Sequence, residues 1–86
     1  MIEDVLNSRG KMRILKYLSK NENVSVKHIS KQIGLNYGTT LSHINLLEQE
    51  QILSKKLIGK KRLILYGDSN KARTIKALLH AWEDSS

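Results

Sequence analysis

Apolar positions in the first part of the chain recur at the three-and-four spacing that is typical of amphipathic helices. The spacing predicts a first helix near the N-terminus and a second helix over about residues 9–19. Asn7 or Ser8 is placed to cap the second helix. The apolar stripes of these two helices are Ile2, Val5 and Leu6, and then Ile14, Leu15 and Leu18.

Two further helices are predicted on either side of a short turn. The segment 21–23, Asn-Glu-Asn, breaks the helical pattern, and Val24 is a candidate for a very short strand. Ser25 then caps a helix over 26–33, which ends at Gly34 because glycine adopts positive φ at low cost. Asn36 caps the next helix, which is expected to run to about residue 51. Two helices joined by a glycine-containing turn are typical of a helix-turn-helix.

The pattern changes from helical to extended after this pair. The stretch "ILSKKLIGKKRLILYG" contains two short runs, 52–58 and 62–66, around Gly59-Lys60-Lys61. It predicts a β-hairpin with a basic tip. Residues 67–70 supply a turn and a cap, and a last helix follows over about 70–83. Its apolar stripe consists of Ala72, Ile75, Leu78, Leu79 and Trp82.

Composition limits the chemistry of the chain. With 86 residues it forms one small domain, and the absence of cysteine excludes disulfides, thiolate metal ligands and cysteine nucleophiles. There is no phosphate-binding glycine loop and no recognisable Ser/His/Asp arrangement, and the three histidines are far apart in sequence. We therefore expect no enzymatic activity, no metal and no cofactor, and the sequence identifies no small-molecule effector.

The positive charge is concentrated in the hairpin. The formal net charge is +7, and residues 53–66 contribute five positive charges and no acid to it. In residues 36–52 the charged residues are Glu48 and Glu50 alone. This distribution indicates a polyanionic partner, or else a solvated charged hairpin. No apolar run approaches the length of a membrane span, and the first ten residues do not have the pattern of a secretory signal. We expect a cytoplasmic, nucleoid-associated protein without a membrane partner.

The order of these elements resembles the winged helix-turn-helix family, especially the small ArsR-like and MarR-like transcriptional regulators. Three segments carry the resemblance: "RILKYL", "VSVKHISKQIGLNYGTTLSHINLLEQEQIL" and "KKLIGKKRLILYG". It implies a mainly α fold with a small β-hairpin, in the order α-α-α-α-β-β-α, forming one domain over 1–86. The core would be 8–66, the wing about 52–66, and the dimerisation helices 1–7 and 70–83. The family commonly has glycine where this chain has Gln51, which suggests a longer helix or a less tight connection to the wing.

The helix that Asn36 caps has two different faces. Thr40, Ile44 and Leu47 fall on the face that is expected to pack inside, and short polar residues fall opposite. The resemblance implies that this is the recognition helix, which lies in the major groove of DNA. Ordinary surface hydroxyls are the alternative interpretation. Tyr37 either contacts phosphate or covers the core edge, and His43 either contacts DNA or is a half-buried structural histidine. Leu46 has no assigned role.

Basic residues extend this interface at the wing and on the preceding helix. The hairpin tip is expected to reach a minor groove or flanking phosphates, for which a solubility patch is the alternative. Lys27 and Lys31 lie one turn apart and are placed to contact backbone phosphate. The candidate DNA-binding residues are Lys27, Asn36, Tyr37, Gly38, Thr39, Ser42, His43, Asn45, Lys60, Lys61 and Arg62.

The last helix is more apolar than a helix facing solvent requires. It either closes the core of its own protomer or pairs with the N-terminal helix in a homodimer, and the resembled families dimerise through terminal helices. Two-fold symmetry would then place two recognition helices about 34 Å apart, one DNA turn. The candidate dimer-interface residues are Ile2, Val5, Leu6, Ile75, Leu78, Leu79 and Trp82.

Three functions fit this sequence. The first is a homodimeric regulator of transcription that binds double-stranded DNA sequence-specifically. The second is a chromatin-type architectural protein with little sequence preference, for which the same basic surface would serve. The third is a winged helix that binds protein, which Leu41 and Leu46 near the surface would support.

Overall fold

The structure is a computed structural model that describes residue 5 and residues 8–84. It confirms the predicted order of elements over this part of the chain. Ile2, Leu6 and most of the predicted first helix lie outside the described residues, although Val5 is helical. The elements are α1 (Arg9–Lys20), α2 (Val26–Ile33), α3 (Tyr37–Gln49), β1 (Leu53–Ile58), β2 (Lys61–Tyr66) and α4 (Asn70–Asp84).

Side-chain caps begin the helices where the sequence predicted them. A side-chain oxygen that accepts a backbone N–H in the first turn replaces a hydrogen bond that the helix itself cannot supply. Ser8 is the cap of α1, and Ser69 is the cap of α4. The distances are 3.2 Å from Lys11 N–H to Ser8, 3.1 Å from His28 N–H to Ser25, and 3.1 Å from Ala72 N–H to Ser69.

The end of α3 differs from the prediction. The helix ends at Gln49, with Glu50 as its C-cap, and does not continue to residue 51. Gln51 has φ of 64°, in the left-handed region that glycine adopts most readily. The helix is therefore not longer, and Gln51 takes the left-handed conformation despite its side chain. The Gln51 N–H still donates to the Glu48 carbonyl, at 2.9 Å.

The wing is a two-stranded antiparallel hairpin. Leu53 pairs with Tyr66 at its base, and Ile58 pairs with Lys61 at its tip, across the two-residue turn Gly59-Lys60. Gly59 has φ of 62°, which a type II′ hairpin turn requires at its first position. Val24 forms an isolated bridge to Ile64 on the other edge of β2, which confirms the predicted short strand.

The core lies where α1, α2, α3 and the base of the wing meet. It is aliphatic, and its fully buried side chains include Ile14, Leu18, Ile29, Ile44 and Ile64. The large aromatic side chain of the core is held by a hydrogen bond, because the hydroxyl of Tyr66 donates to the Leu15 carbonyl at 2.6 Å. Burial raises the pKa of this phenol, and the negative charge of Glu22 raises it further.

Helix α4 closes this core from the C-terminal side. Ala72 is fully buried, Leu79 is 5% exposed, and Val5 is 4% exposed in the same cluster. This corrects the assignment of Val5 and Leu79 to a dimer interface, since side chains already buried in the protomer have almost no surface left for a partner. Ile75 is half-buried against the core.

Glu22 fastens the base of the wing to α4. Its carboxylate accepts the backbone N–H of Tyr66 at 2.9 Å and a hydrogen bond from the ammonium of Lys76. The Lys76 ammonium also lies 5.6 Å from the centre of the Tyr66 ring. Burial alone would raise the pKa of Glu22, but these hydrogen bonds and the charges of Lys76 and His80 outweigh it, so its pKa lies below the usual value.

Candidate nucleic-acid interface

The N-terminus of α3 is built around Asn36. The Asn36 side-chain oxygen accepts the N–H of Thr39 at 3.2 Å, and the Thr40 hydroxyl donates to the Asn36 carbonyl at 2.9 Å. The partial positive charge of a helix N-terminus favours an anion nearby. A methyl group built at Gly38 would lie 3.2 Å from the Asn36 side-chain oxygen and within 4 Å of no other atom of its surroundings. Close packing inside the protein therefore does not explain the glycine.

The two faces of α3 are as the sequence predicted. Thr40, Ile44 and Leu47 are buried, so the helix is held by its inner face. The opposite face is open to solvent and includes Leu46, which is 45% exposed. Tyr37 is 53% exposed and thus covers little of the core edge. The exposed residues of α3 are Tyr37, Gly38, Thr39, Ser42, Leu46 and Gln49.

His43 belongs to the contact between α3 and α1. A methyl group at Gly10 would lie only 2.6 Å from Nε2 of His43, so the absence of a side chain at Gly10 makes room for the ring. The Nδ1 atom is buried and has no hydrogen-bond partner among the described residues. Burial lowers the pKa of His43, and the charge of Lys11 lowers it further. His43 is thus the half-buried structural histidine, which corrects its assignment as a DNA contact.

Asn45 lies at the junction between α3 and the wing. Its side-chain oxygen accepts a hydrogen bond from Lys55 at 3.0 Å, and the same ammonium lies 3.4 Å from the Glu48 carboxylate. Asn45 is half-buried, and its side-chain oxygen is already used in this hydrogen bond within the protein. The pair Lys55 and Glu48 holds the first wing strand against α3 and neutralises one of the five wing cations locally.

The other wing cations remain exposed. Lys56, Lys60, Lys61 and Arg62 are all exposed, and no ion pair joins them to an acid in residues 8–84. Lys60 lies in the turn and Lys61 follows it directly, so three of these charges are grouped at the tip. This unpaired basic tip has the charge that a phosphate backbone requires.

A shallow groove connects the wing to the N-terminus of α2. It has a volume of about 400 Å³ and runs between the turn before α2 and the strand β2. Lys27 is exposed in the first turn of α2, and His28 is linked to Tyr17 by a hydrogen bond of 2.8 Å. The wing and the N-terminus of α2 thus lie on the two sides of one groove. The lining residues are Asn23, Val24, Ser25, His28, Lys61, Arg62 and Leu63.

Arg13 has a structural role that the sequence pattern did not distinguish from a solvated helix face. Its guanidinium donates a hydrogen bond to the Ile33 carbonyl at the C-terminus of α2. A cation at this end of a helix is favourable, because the last carbonyls lack partners within the helix. Arg13 therefore ties α1 to the helix-turn-helix.

A family model described as winged helix-turn-helix DNA-binding matches residues 11–54, which is half of the chain. The matched segment contains most of α1, all of α2 and α3, and the start of the wing. The chain belongs to the winged helix-turn-helix DNA-binding family.

Solved structures with this winged-helix architecture include bacterial regulators. A predicted DNA-binding transcriptional regulator from Escherichia coli has a TM-score of 0.83 at 14% identity, covering 99% of this chain and 85% of that one. The repressor BigR from Xylella fastidiosa has a TM-score of 0.82 at 18% identity, covering 96% and 81%. The homodimeric domain of Mb0332 from Mycobacterium bovis, a possible ArsR-family regulator, has a TM-score of 0.77 at 20% identity, covering 98% and 76%.

These structural likenesses establish the winged-helix fold of the chain. Because the sequence identities are low, they establish the fold alone. A comparison with curated protein sequences found no match. Within the described residues, no helix has the length and apolar character needed to cross a membrane. Over the same residues, no group of three or more His, Cys, Asp or Glu side chains is placed to hold a metal ion.

The outer side of α4 is the second exposed surface of this winged helix. Leu78 is 53% exposed and Trp82 is 71% exposed, one turn apart on the helix. Both were predicted at a dimer interface, and both project away from the protomer core. Lys20 and Glu83 form an ion pair of 3.6 Å close to this end of α4.

Proposed function

We propose that the protein is a homodimeric transcriptional regulator of the cytoplasm that binds double-stranded DNA sequence-specifically. Helix α3 would lie in the major groove, and the tip of the wing would contact the flanking minor groove or phosphates. The observation that carries the proposal is the unpaired basic tip of the wing. Lys60, Lys61 and Arg62 have no acidic partner among the described residues, and the phosphates of a nucleic-acid backbone would supply one.

The exposed face of α3 supports reading of bases as well as of the backbone. Thr39 and Ser42 offer small hydroxyls that donate and accept hydrogen bonds at base edges. Gly38 leaves room for the DNA backbone to approach the helix N-terminus. Lys27, Asn36 and Tyr37 are exposed around the same end and would contact phosphates.

Leu46 fits this surface as an apolar base contact. It lies one helical turn beyond Ser42 on the exposed face. Its side chain is 45% exposed, so packing in the core does not account for a large apolar residue at this position. An apolar side chain in the major groove recognises the methyl group of thymine. Replacing thymines by deoxyuridine in a bound duplex should therefore weaken binding of the wild type, by about fivefold to tenfold at one position, and should not affect Leu46→Ala.

A two-fold dimer would form through the outer side of α4, with Leu78 and Trp82 at its centre. Their exposure and their spacing of one turn support this assignment. Ile75 would lie at its edge. Such a dimer would place its two α3 helices about 34 Å apart, so the bound site would be a pseudo-palindrome with half-sites one turn apart.

The test is selection of bound duplexes from a randomised pool, followed by titration of the selected duplex across salt concentrations. We expect a pseudo-palindromic site and affinity that falls steeply with salt, since phosphate contacts release counterions. Absence of binding at low salt, or binding without salt dependence, would contradict the proposal.

An architectural DNA-binding protein is the second candidate function. The wing cations that form no ion pair within residues 8–84 outnumber the candidate base-reading side chains, which favours this function because cations at phosphates carry no sequence information. Equal affinity for the selected duplex and for the unselected pool would support this function over sequence-specific regulation.

A further inference from the structure

The tip of the wing exposes two large apolar side chains. Leu57 is 68% exposed and Ile58 is 52% exposed at the end of β1. Across the hairpin, Leu57 pairs with Arg62 and Ile58 pairs with Lys61. Since successive strand residues point to opposite faces, each face of the tip carries one apolar residue beside one cation.

These side chains contribute nothing to the core of the protomer. Leu57 shares its face of the hairpin with Leu53, which is 2% exposed and packs against the core at the base of the wing. Leu57 lies four pairs farther out along the hairpin, beyond Lys55, and is 68% exposed. The fold therefore does not require a large apolar residue at either position.

The charges around Leu57 and Ile58 select the partner. The hairpin residues 53–66 contain five cations and no acid, and four of these cations have no ion pair in the described part of the chain. A second copy of this tip would be repelled by its like charge. A polyanion would be attracted, and the apolar side chains would then meet whatever lies between its phosphates.

Between the phosphates of the DNA minor groove lie the sugars and the edges of the bases. This groove is about 6 Å wide, which is too narrow for a whole two-stranded ribbon, so only side chains at the tip of the hairpin are able to enter it. Leucine and isoleucine are among the residues that proteins insert there between base steps, which kinks the duplex.

We infer that Leu57 and Ile58 form an apolar wedge that enters the minor groove and bends the bound DNA. This inference rests on the proposed DNA-binding function and deepens it. Arg62 and Lys61 hold the flanking phosphates, and the wedge unstacks a base step between them. The wedge favours sites with a TA or CA step under the wing, because pyrimidine–purine steps are the easiest to kink.

Energy transfer between dyes at the two ends of the selected duplex tests the wedge. We expect the wild type to bend the duplex by about 20–90°. The double variant Leu57→Ala, Ile58→Ala should leave it nearly straight and bind about tenfold more weakly. Its salt dependence should stay unchanged, because no cation is lost.

Lys60→Ala is the matched control in the same hairpin. It should reduce the slope of log affinity against log salt by about one unit and keep the bend, because it removes a phosphate contact and no wedge residue. Circular dichroism of all three proteins checks that they are folded, which we expect since the changed side chains are exposed.

Each other outcome has a defined meaning. Tight binding of straight DNA by the wild type overturns the wedge and leaves the proposed function standing, whereas no binding to any duplex overturns both. Sedimentation with anionic phosphatidylserine vesicles is the second arm. Vesicle binding that the double variant loses, while its DNA bend is unchanged, would assign these residues to a membrane surface and overturn the wedge.

Discussion

Two exposed apolar surfaces of this protein differ in the charges that surround them. At the wing tip, Leu57 and Ile58 stand among cations that have no acidic partner in the described residues. On α4, Leu78 and Trp82 lie near an ion pair in which the charges of Lys20 and Glu83 balance. The exposed fractions of these four side chains lie between 52% and 71%, so exposure does not distinguish the two surfaces, whereas their charges do.

This difference indicates which partner each surface suits. An apolar patch with balanced charges is able to pack against its own copy, because two-fold symmetry brings opposite charges together as readily as like charges. An apolar patch among cations repels its own copy and attracts a polyanion. We therefore propose DNA as the partner of the wing tip and a second copy of the chain as the partner of the outer side of α4.

The largest expected effect comes from removing the charge of the wing. Lys60→Ala, Lys61→Ala and Arg62→Ala together should weaken DNA binding by about a hundredfold at low salt and reduce the salt slope by two to three units, about 0.9 per phosphate contact. A control variant, Lys20→Ala, Lys71→Ala and Arg73→Ala, removes three charges elsewhere. Equal losses in the two variants would mean that net charge, and not the wing, attracts the DNA.

The second prediction compares the effect of making each apolar surface polar. Leu78→Gln with Trp82→Gln should weaken the dimer by about a hundredfold or more, so that light scattering finds the mass of one 9.8 kDa chain where the wild type has twice that mass. Leu57→Gln with Ile58→Gln should leave the dimer intact. A monomeric wild type, or a dimer that only the wing variant disrupts, would contradict the assignment.

The third prediction concerns Glu22, which connects the wing to α4 and hence the two surfaces to each other. Glu22→Ala should lower the free energy of unfolding by about 1–3 kcal/mol, because the partly buried N–H of Tyr66 loses its acceptor. Lys20→Ala at the exposed ion pair should cost less than about 1 kcal/mol. Urea unfolding measures both, and an equal cost would argue against the fastening role of Glu22.

The same carboxylate gives the stability a pH dependence. Since the pKa of Glu22 is lower in the folded protein than its ordinary value of 4.5, the unfolded chain binds the proton more tightly. The stabilisation is present above pH 4.5 and is lost as the pH falls through the folded pKa. Glu22→Gln should therefore show a weaker loss of stability below pH 4.5 than the wild type.

The fourth prediction separates binding from folding on α3. Gly38→Ala should keep the free energy of unfolding within about 1 kcal/mol of the wild type, since the gain in helix propensity is offset by contact with the Asn36 side chain. It should weaken DNA binding by about tenfold, because the added methyl group keeps the sugar-phosphate backbone of the DNA away from the helix N-terminus. Unchanged binding would show that DNA does not approach this position closely.

The smallest expected effect is at the connection between α3 and the wing, away from both surfaces. Gln51→Gly should raise the free energy of unfolding by about 0.5–1 kcal/mol, because glycine has no side chain to strain at φ of 64°. DNA affinity and dimer mass should not change. Gln32→Gly, within α2, is the control and should destabilise by a similar amount. Destabilisation by Gln51→Gly would mean that its side chain makes contacts that outweigh the strain.

Local chemistry explains why much of the fold was predictable. The caps Ser8, Ser25 and Asn36 act on residues three positions away, so their effect is written in the adjacent sequence. The buried face of α3 followed from helical periodicity in the same way. The end of α3 was placed two residues too far, because no glycine marks the left-handed turn at Gln51.

The candidate interface was less predictable because sequence periodicity does not identify side-chain partners from other elements of the same chain. Asn45 was expected to face DNA but accepts a hydrogen bond from Lys55, ten positions away. His43 was expected in part at the same surface but fills the space above Gly10. The positive charge of the wing, in contrast, was visible from composition, since a run without acids has no local means of neutralisation.

The helices, the hairpin, the aliphatic core and the basic wing follow from the order of residues, because each depends on spacing or composition within a short segment. Which polar groups are hydrogen-bonded inside the protein depends instead on how the helices and the wing pack together. Glu22 meets Tyr66 and Lys76 across 44 and 54 positions, and Arg13 meets Ile33 across 20. Such hydrogen bonds form when packing brings distant segments together, and they leave the outer face of α3, the wing tip and the outer side of α4 open to partners.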